Sequence, residues 1–198
     1  EKGNENIVKY LIEHGANIKT ADINGYLPIF MACYSGNENI VKYLIEHGAN
    51  IKTADISGYS PIFMACYSGN ENIVKYLIEV GADINEESHY GDTPLFYACK
   101  SGNENLVKYL VKLGADVKKK KNDEGETSLF MACYSGNENL VKYLVELEVD
   151  ITIEDTRGET ALFIACKNNN KNIVEYLVEH GADINKENQS AETPLFFA

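Results

Sequence analysis

The feature that most restricts this chain is that it repeats itself. Gly36-Asn37-Glu38-Asn39 returns as Gly69-Asn70-Glu71-Asn72 and again as Gly102-Asn103-Glu104-Asn105, each time 33 residues on. Gly3 precedes Gly36 by the same step, Gly136 follows Gly102 after 34, and Asn169 stands where the next glycine would fall. Residues 3–23 are identical to 36–56, and 28–46 to 61–79, which implies recent duplication. A fixed period of this length describes one supersecondary unit stacked on copies of itself, not a globule around a single core.

The stretch from Asp22 to Ala54 shows what is stacked. Asp22-Ile23-Asn24-Gly25 is a turn signal, with glycine free to take positive φ. Pro28 suits the first residue of a helix, where its missing N–H would have had no partner. Thr93 and Thr193 precede the equivalent prolines, Ser60 precedes Pro61, and these hydroxyls are expected to cap the short helix. Leu27 cannot do so, which predicts the weakest start for the first complete unit. Ile29, Ala32 and Cys33 share one face of this helix, the small pair allowing close approach of a neighbour. Gly36 ends it, and Asn37 caps a second, longer helix with an apolar stripe at Ile40, Val41, Leu44 and Ile45. Gly48 then stops the second helix in the left-handed conformation. Neither helix can cover its own apolar face, so stability must come from stacking.

Thr93-Pro94-Leu95-Phe96-Tyr97-Ala98, the second helix Ile73-Val74-Lys75-Tyr76-Leu77 and Gly81-Ala82-Asp83-Ile84-Asn85 resemble ankyrin repeats. The resemblance recurs in every unit. It implies an all-α solenoid of helix-turn-helix modules with short β-hairpin-like turn tips, used for protein recognition on a concave face. The full modules are placed at 22–54, 55–87, 88–121, 122–154 and 155–187, with partial ones at 1–21 and 188–198. Neither end has the polar capping module that solenoids need, so a longer array or removed flanks are expected. The family's histidine after Thr-Pro-Leu is replaced here by Phe30, Phe63, Phe96, Phe130, Phe163 and Phe196, which suggests an aromatic ladder in its place.

Composition narrows function. A net charge of −12 argues against nucleic acid and biases the surface towards basic partners. No apolar run approaches the roughly 18 residues that a membrane span needs. Chemistry usually needs unique residues, whereas structure in a repeat needs the same residue each time. Cys33, Cys66, Cys99, Cys133 and Cys166 occupy one equivalent position and lack the C-x-x-C spacing of a metal site. They read as small core hydrophobes, and reduced thiols imply an intracellular, cytoplasmic setting. His14, His47 and His180 recur before the helix-ending glycine, where a cation favours the helix C-terminus. No histidine neighbours a nucleophile and an orienting acid, so no catalytic residue, metal or cofactor is predicted.

Residues that vary on the constant frame are the candidate protein-binding surface. Tyr34, Tyr67 and Tyr134 end the short helices where Lys100 and Lys167 stand in other modules, on the edge the resemblance places on the concave side. Near the turn tips lie Asn24, Ser57, Tyr90, Glu124 and Arg157, then Tyr26, Tyr59, Asp92, Glu126 and Glu159. By contrast Tyr10, Tyr43, Tyr76, Tyr109, Tyr143 and Tyr176 recur in every long helix and are assigned to packing. Two irregularities stand out. One is the basic run at 118–121, beside the extra residue; the other is Glu148 where the sibling modules carry glycine. The predicted function is a monomeric binding module or scaffold for a protein partner. The alternatives are a structural spacer in a longer array, and an accessory segment of an enzyme whose catalytic part lies elsewhere.

Overall fold

The computed structural model describes residues 5–118 and 122–198, and every regular element among them is helical. After α1 (Glu5–Glu13) come short and long helices in alternation. The pairs are α2 (Pro28–Tyr34) with α3 (Glu38–Glu46), α4 (Pro61–Ser68) with α5 (Glu71–Glu79), and α6 (Pro94–Ser101) with α7 (Glu104–Lys112). Then follow α8 (Ser128–Ser135) with α9 (Glu138–Glu146), and α10 (Ala161–Lys167) with α11 (Lys171–Glu179). A 3-10 turn at Pro194–Phe197 closes the series. Lys119 to Lys121, most of the basic run, lie outside the described residues.

Each short helix packs on the next short helix, α2 through α10, and on the long helix that follows it. The shared seam holds Phe30, Phe63, Phe96, Phe130 and Phe163, all buried, with the five cysteines and their preceding alanines. Fully burying a Phe or Leu side chain stabilises by about 1.5–3 kcal/mol, so the stack holds itself through this seam. Long helices turn Ile40, Val41 and Leu44, and their equivalents, inward. The aromatic ladder takes a different form from the one expected. Among the described residues the phenylalanine rings meet tyrosines, Phe30 with Tyr26 at 5.6 Å and Phe63 with Tyr59 at 5.2 Å, and Phe163 meets Phe197 at 5.9 Å. Phe196, at the end of the stack, is exposed.

The long helices begin as the sequence predicts. Asn37, Asn70, Asn103 and Asn137 each accept the N–H of the residue three further on at 3.0–3.1 Å. Three of these side chains also tie one pair of helices to the next. The amides of Asn70, Asn103 and Asn137 donate to the Gly36, Gly69 and Gly102 carbonyls of the preceding pair, at 2.8–3.2 Å. Asn170 makes no such cap. The short helices contradict the expectation. Ser60, Thr93, Thr127, Thr160 and Thr193 make no side-chain cap bond, and the Thr93 and Thr127 hydroxyls are buried without a partner. The reason lies in the backbone. The N–H of Phe63 bonds to the Ser60 carbonyl and that of Phe96 to Thr93, so the first turn closes without a hydroxyl. Phe30 bonds to the Leu27 carbonyl in the same way at 2.9 Å, so the leucine start is equivalent and not weaker.

A second seam runs along the long helices. Lys9, Lys42, Lys75, Lys108 and Lys142 each place their ammonium 5.2–5.5 Å from the ring of the tyrosine one module later, Tyr43, Tyr76, Tyr109, Tyr143 and Tyr176. Each of these lysines except Lys75 also pairs at 2.5–2.8 Å with the glutamate one turn back, and Lys75 does so at 3.0 Å. His14, His47 and His180 bond the tyrosine carbonyls at the helix ends, at 2.7–2.8 Å.

At the turn tips the first residue organises the loop. Asp22, Asp55, Asn122, Asp155 and Asn188 each accept the backbone N–H groups two and four residues on. Successive tips are joined by one backbone bond per step: Ile56 to Asn24, His89 to Ser57, Asp123 to Tyr90, Thr156 to Glu124, and Gln189 to Arg157. These rungs are hairpin-like, yet no strand forms among the described residues.

Glu148 has φ 59°, the left-handed conformation that its sibling glycines adopt, and Asn169 at 53° and Ala191 at 58° do likewise. The turn bonds are kept, with the Glu148 N–H on the Val145 carbonyl at 2.9 Å, so the array is not locally broken there. The Glu148 side chain is almost fully exposed and meets Lys118 at 3.7 Å, a contact of small value. Glu148→Gly is therefore expected to raise unfolding stability by about 1 kcal/mol in a denaturant titration. Burial pushes the thiols of Cys33 and Cys133 up to about 12. All five thiols should react slowly in native protein and completely only in denaturant. Five fast thiols in a native titration would refute the packing.

Candidate functional site

The open face of the short helices carries three rows of side chains, one residue per module in each row. The first row is Tyr34, Tyr67, Lys100, Tyr134 and Lys167, all exposed, because these positions end the helix on the side away from the long helices. The Tyr34 and Tyr67 rings stack at 5.7 Å with an 11° interplanar angle. Lys100 lies 5.9 Å from the centre of Tyr67. The second row follows the buried phenylalanine: Met31, Met64, Tyr97, Met131 and Ile164. It passes from open to closed, with Met31 56% exposed and Ile164 fully buried. Sequence reasoning did not single out this row. Its signal was a position varying among Met, Tyr and Ile between fixed Phe and Ala neighbours.

The third row is Tyr26, Tyr59, Asp92, Glu126 and Glu159, placed by the loop just after the turn glycine. The Tyr59 hydroxyl donates to Asp92 at 2.7 Å, and the Asn122 amide donates to its other oxygen at 2.7 Å. Burial, followed by the interactions with Tyr97 and Asp92, pushes the Tyr59 hydroxyl well above the usual tyrosine range. Tyr97 sits among Tyr59, Phe63 and Tyr67 in edge-on contacts of 5.5–6.1 Å. Glu159 is buried, and Lys167 donates to both of its oxygens at 2.6 Å while Arg157 reaches it at 3.3 Å. Those three residues are thus turned on one another. Glu126 is half-buried, and burial, with the charges of Glu124, Asp155 and Asp92, raises its pKa. At the tips, Asn24, Tyr90, Glu124 and Arg157 are exposed and Ser57 is half-buried; their carbonyls carry the rungs described above.

Two hollows open between the rows. One of 240 Å³ is lined by Tyr26, Phe30, Met31, Tyr34 and Met64. The other, of 620 Å³, lies between Tyr67 and Tyr134, with Lys100, Ser101, Glu126 and Met131 completing it. Among the described residues no three His, Cys, Asp or Glu side chains are placed to hold a metal ion. No helix among them is long and apolar enough to cross a membrane.

Family comparison decides what this frame is. A family model described as ankyrin repeats (3 copies) matches residues 1–55, 51–121, 82–155 and 117–188. The chain belongs to the ankyrin repeat family. Its fold is similar to the human ASB11 ankyrin repeat domain, with a TM-score of 0.79 and 28% identity over 96% of this chain and 85% of that one. No curated protein matches it significantly in sequence. Ankyrin repeats are generally protein-protein interaction modules and typically non-catalytic.

The two tyrosine classes are separable by substitution. Changing Tyr34, Tyr67 and Tyr134 together to alanine should cost about 1 kcal/mol, chiefly the Tyr34–Tyr67 stack, and leave circular dichroism unchanged. Changing Tyr43, Tyr76 and Tyr143 should cost about 3 kcal/mol or more, because each loses half-buried area and its lysine contact. Thermal melts of the two triple variants make the comparison.

Proposed function

We propose that this ankyrin array holds a protein partner on its concave face and turn tips, as a monomeric, non-catalytic scaffold inside the cell. The carrying observation is that Met31, Tyr34, Tyr67 and Tyr134 stay 40–56% exposed on that face while the neighbouring frame residues, Phe30, Ala32 and Cys33 and their equivalents in the other full modules, are buried. Large apolar side chains that the core does not use make good contact anchors, and aromatics are prominent among binding hot spots. The unpaired, buried cysteines support a reducing compartment. The division into five full modules between residues 22 and 187 belongs to this reading.

A second reading, a spacer within a longer array, is favoured by the identity of residues 28–46 with 61–79. Duplicated frames keep the stack regular whether or not anything binds. Binding separates the two. Proteins retained on the immobilised chain should be held at least about tenfold more weakly by the Tyr34, Tyr67 and Tyr134 triple alanine variant, since about 1.4 kcal/mol suffices. Retention unchanged in that variant and lost on alanine substitution of Tyr90, Glu124 and Arg157 would move the site to the tips alone. Retention unchanged in both would leave the spacer reading.

A further inference from the structure

The concave face changes character along the stack, and the repeat supplies its own internal comparison. Its first part is apolar: Met31 and Tyr34 are half or more exposed, Tyr67 is 40% exposed, and the 240 Å³ hollow beside them is lined by tyrosine, phenylalanine and methionine alone. Two modules later the third row becomes carboxylate. Glu126 and Glu159 are equivalent positions, one module apart, and the charged groups around them differ. Glu159 faces Lys167, whose ammonium bonds both carboxylate oxygens at 2.6 Å, and Arg157 adds a second cation at 3.3 Å. At Glu126 the counterpart of Lys167 is Tyr134, and the counterpart of Arg157 is Glu124. Among the described residues no cation lies within ion-pair distance of Glu126. The same backbone site therefore holds a carboxylate with a built-in cation in one module and without one in the module before.

The surroundings of Glu126 suit a cation from outside. It borders the 620 Å³ hollow, whose end walls are Tyr67 and Tyr134. Asp92, Glu126 and Lys100 together line the smaller recess beneath. Two carboxylates face one ammonium there, and that ammonium rests over Tyr67. Asp92 is occupied by the neutral partners Tyr59 and Asn122, so among the described residues neither carboxylate has a cation within ion-pair distance, and Glu126 is the one that also borders the larger hollow. A cation entering that hollow would find the Glu126 carboxylate and the Tyr134 ring both in its wall, the two groups that favour a desolvated ammonium or guanidinium.

We propose that the concave face recognises a peptide segment with polarity, seating apolar side chains over Met31, Tyr34, Met64 and Tyr67 and a lysine or arginine against Glu126. This rests on the concave-face reading and adds the chemistry of the partner. The apolar and basic positions are separated by two to three module steps of about 10 Å each, or about six to nine residues of extended chain. The net charge of −12 assists the approach of such a segment.

The test is to pan a displayed library of random peptides, each about 12 residues and so about 40 Å when extended, on the immobilised chain. Enriched sequences should carry apolar residues and, about six to nine positions away, a lysine or arginine. Replacing that basic residue by alanine in the synthetic peptide should weaken binding about tenfold to the native protein. It should make little difference to Glu126→Gln, or to Tyr134→Lys, which installs the built-in lysine that the next module already tolerates. Enriched peptides that lose affinity on Tyr34→Ala or Tyr67→Ala, yet lack a basic residue or keep its full effect in Glu126→Gln, would overturn this inference and leave the concave-face reading intact. Peptides indifferent to Tyr34, Tyr67 and Glu126 alike, or none enriched, would overturn both.

Discussion

A helix of seven or eight residues cannot stand alone in water, because nucleating it costs more than so few backbone bonds return. The five short helices here are all of that length. Each must therefore be clasped by its neighbours in the stack, and most of the sequence follows from that need. Alanine and cysteine recur on the contact face because larger side chains would hold the neighbours apart. Phenylalanine recurs beside them because the seam must also be filled. The long helix behind serves as a buttress, and its capping asparagine reaches back to a glycine carbonyl of the previous pair, so that one side chain both starts a helix and fastens it to the stack.

The frame was legible in the sequence because its signals are local and repeated. Period, proline starts, asparagine caps and glycine stops each depend on a few adjacent residues, and a misread module is corrected by its neighbours. The hydroxyl caps were misread for a physical reason. Thr93 and Ser60 have the right chemistry, but a backbone carbonyl closes the turn first. Ala191 at positive φ was invisible because alanine carries no signal for that conformation. The candidate surface was legible only in part. The edge tyrosines stand out because lysine replaces them elsewhere, whereas the methionine row is hidden by its resemblance to ordinary core. The Lys167–Glu159 pair links a loop residue to a helix end across a turn, a contact that spacing alone does not announce.

Near-identity of the modules gives the few differences their meaning. Where two units share almost every residue, a position that changes has been released from the requirements of the stack. Met31 and Ile164 occupy the same place, yet one is open and the other sealed. Departures from the repeat mark the candidate surface on such a frame, and three rows that contain them lie on the open face of the short helices.

The single backbone bond between successive tips has a mechanical consequence. Side chains reinforce these rungs unevenly, with Tyr59 and Asn122 both bonded to Asp92 and the Gln189 amide on the Thr156 carbonyl. Bending the edge at the first tips therefore strains one backbone bond, whereas bending it across Asp92 or Gln189 strains side-chain bonds as well. Compliance along the edge is graded and not uniform.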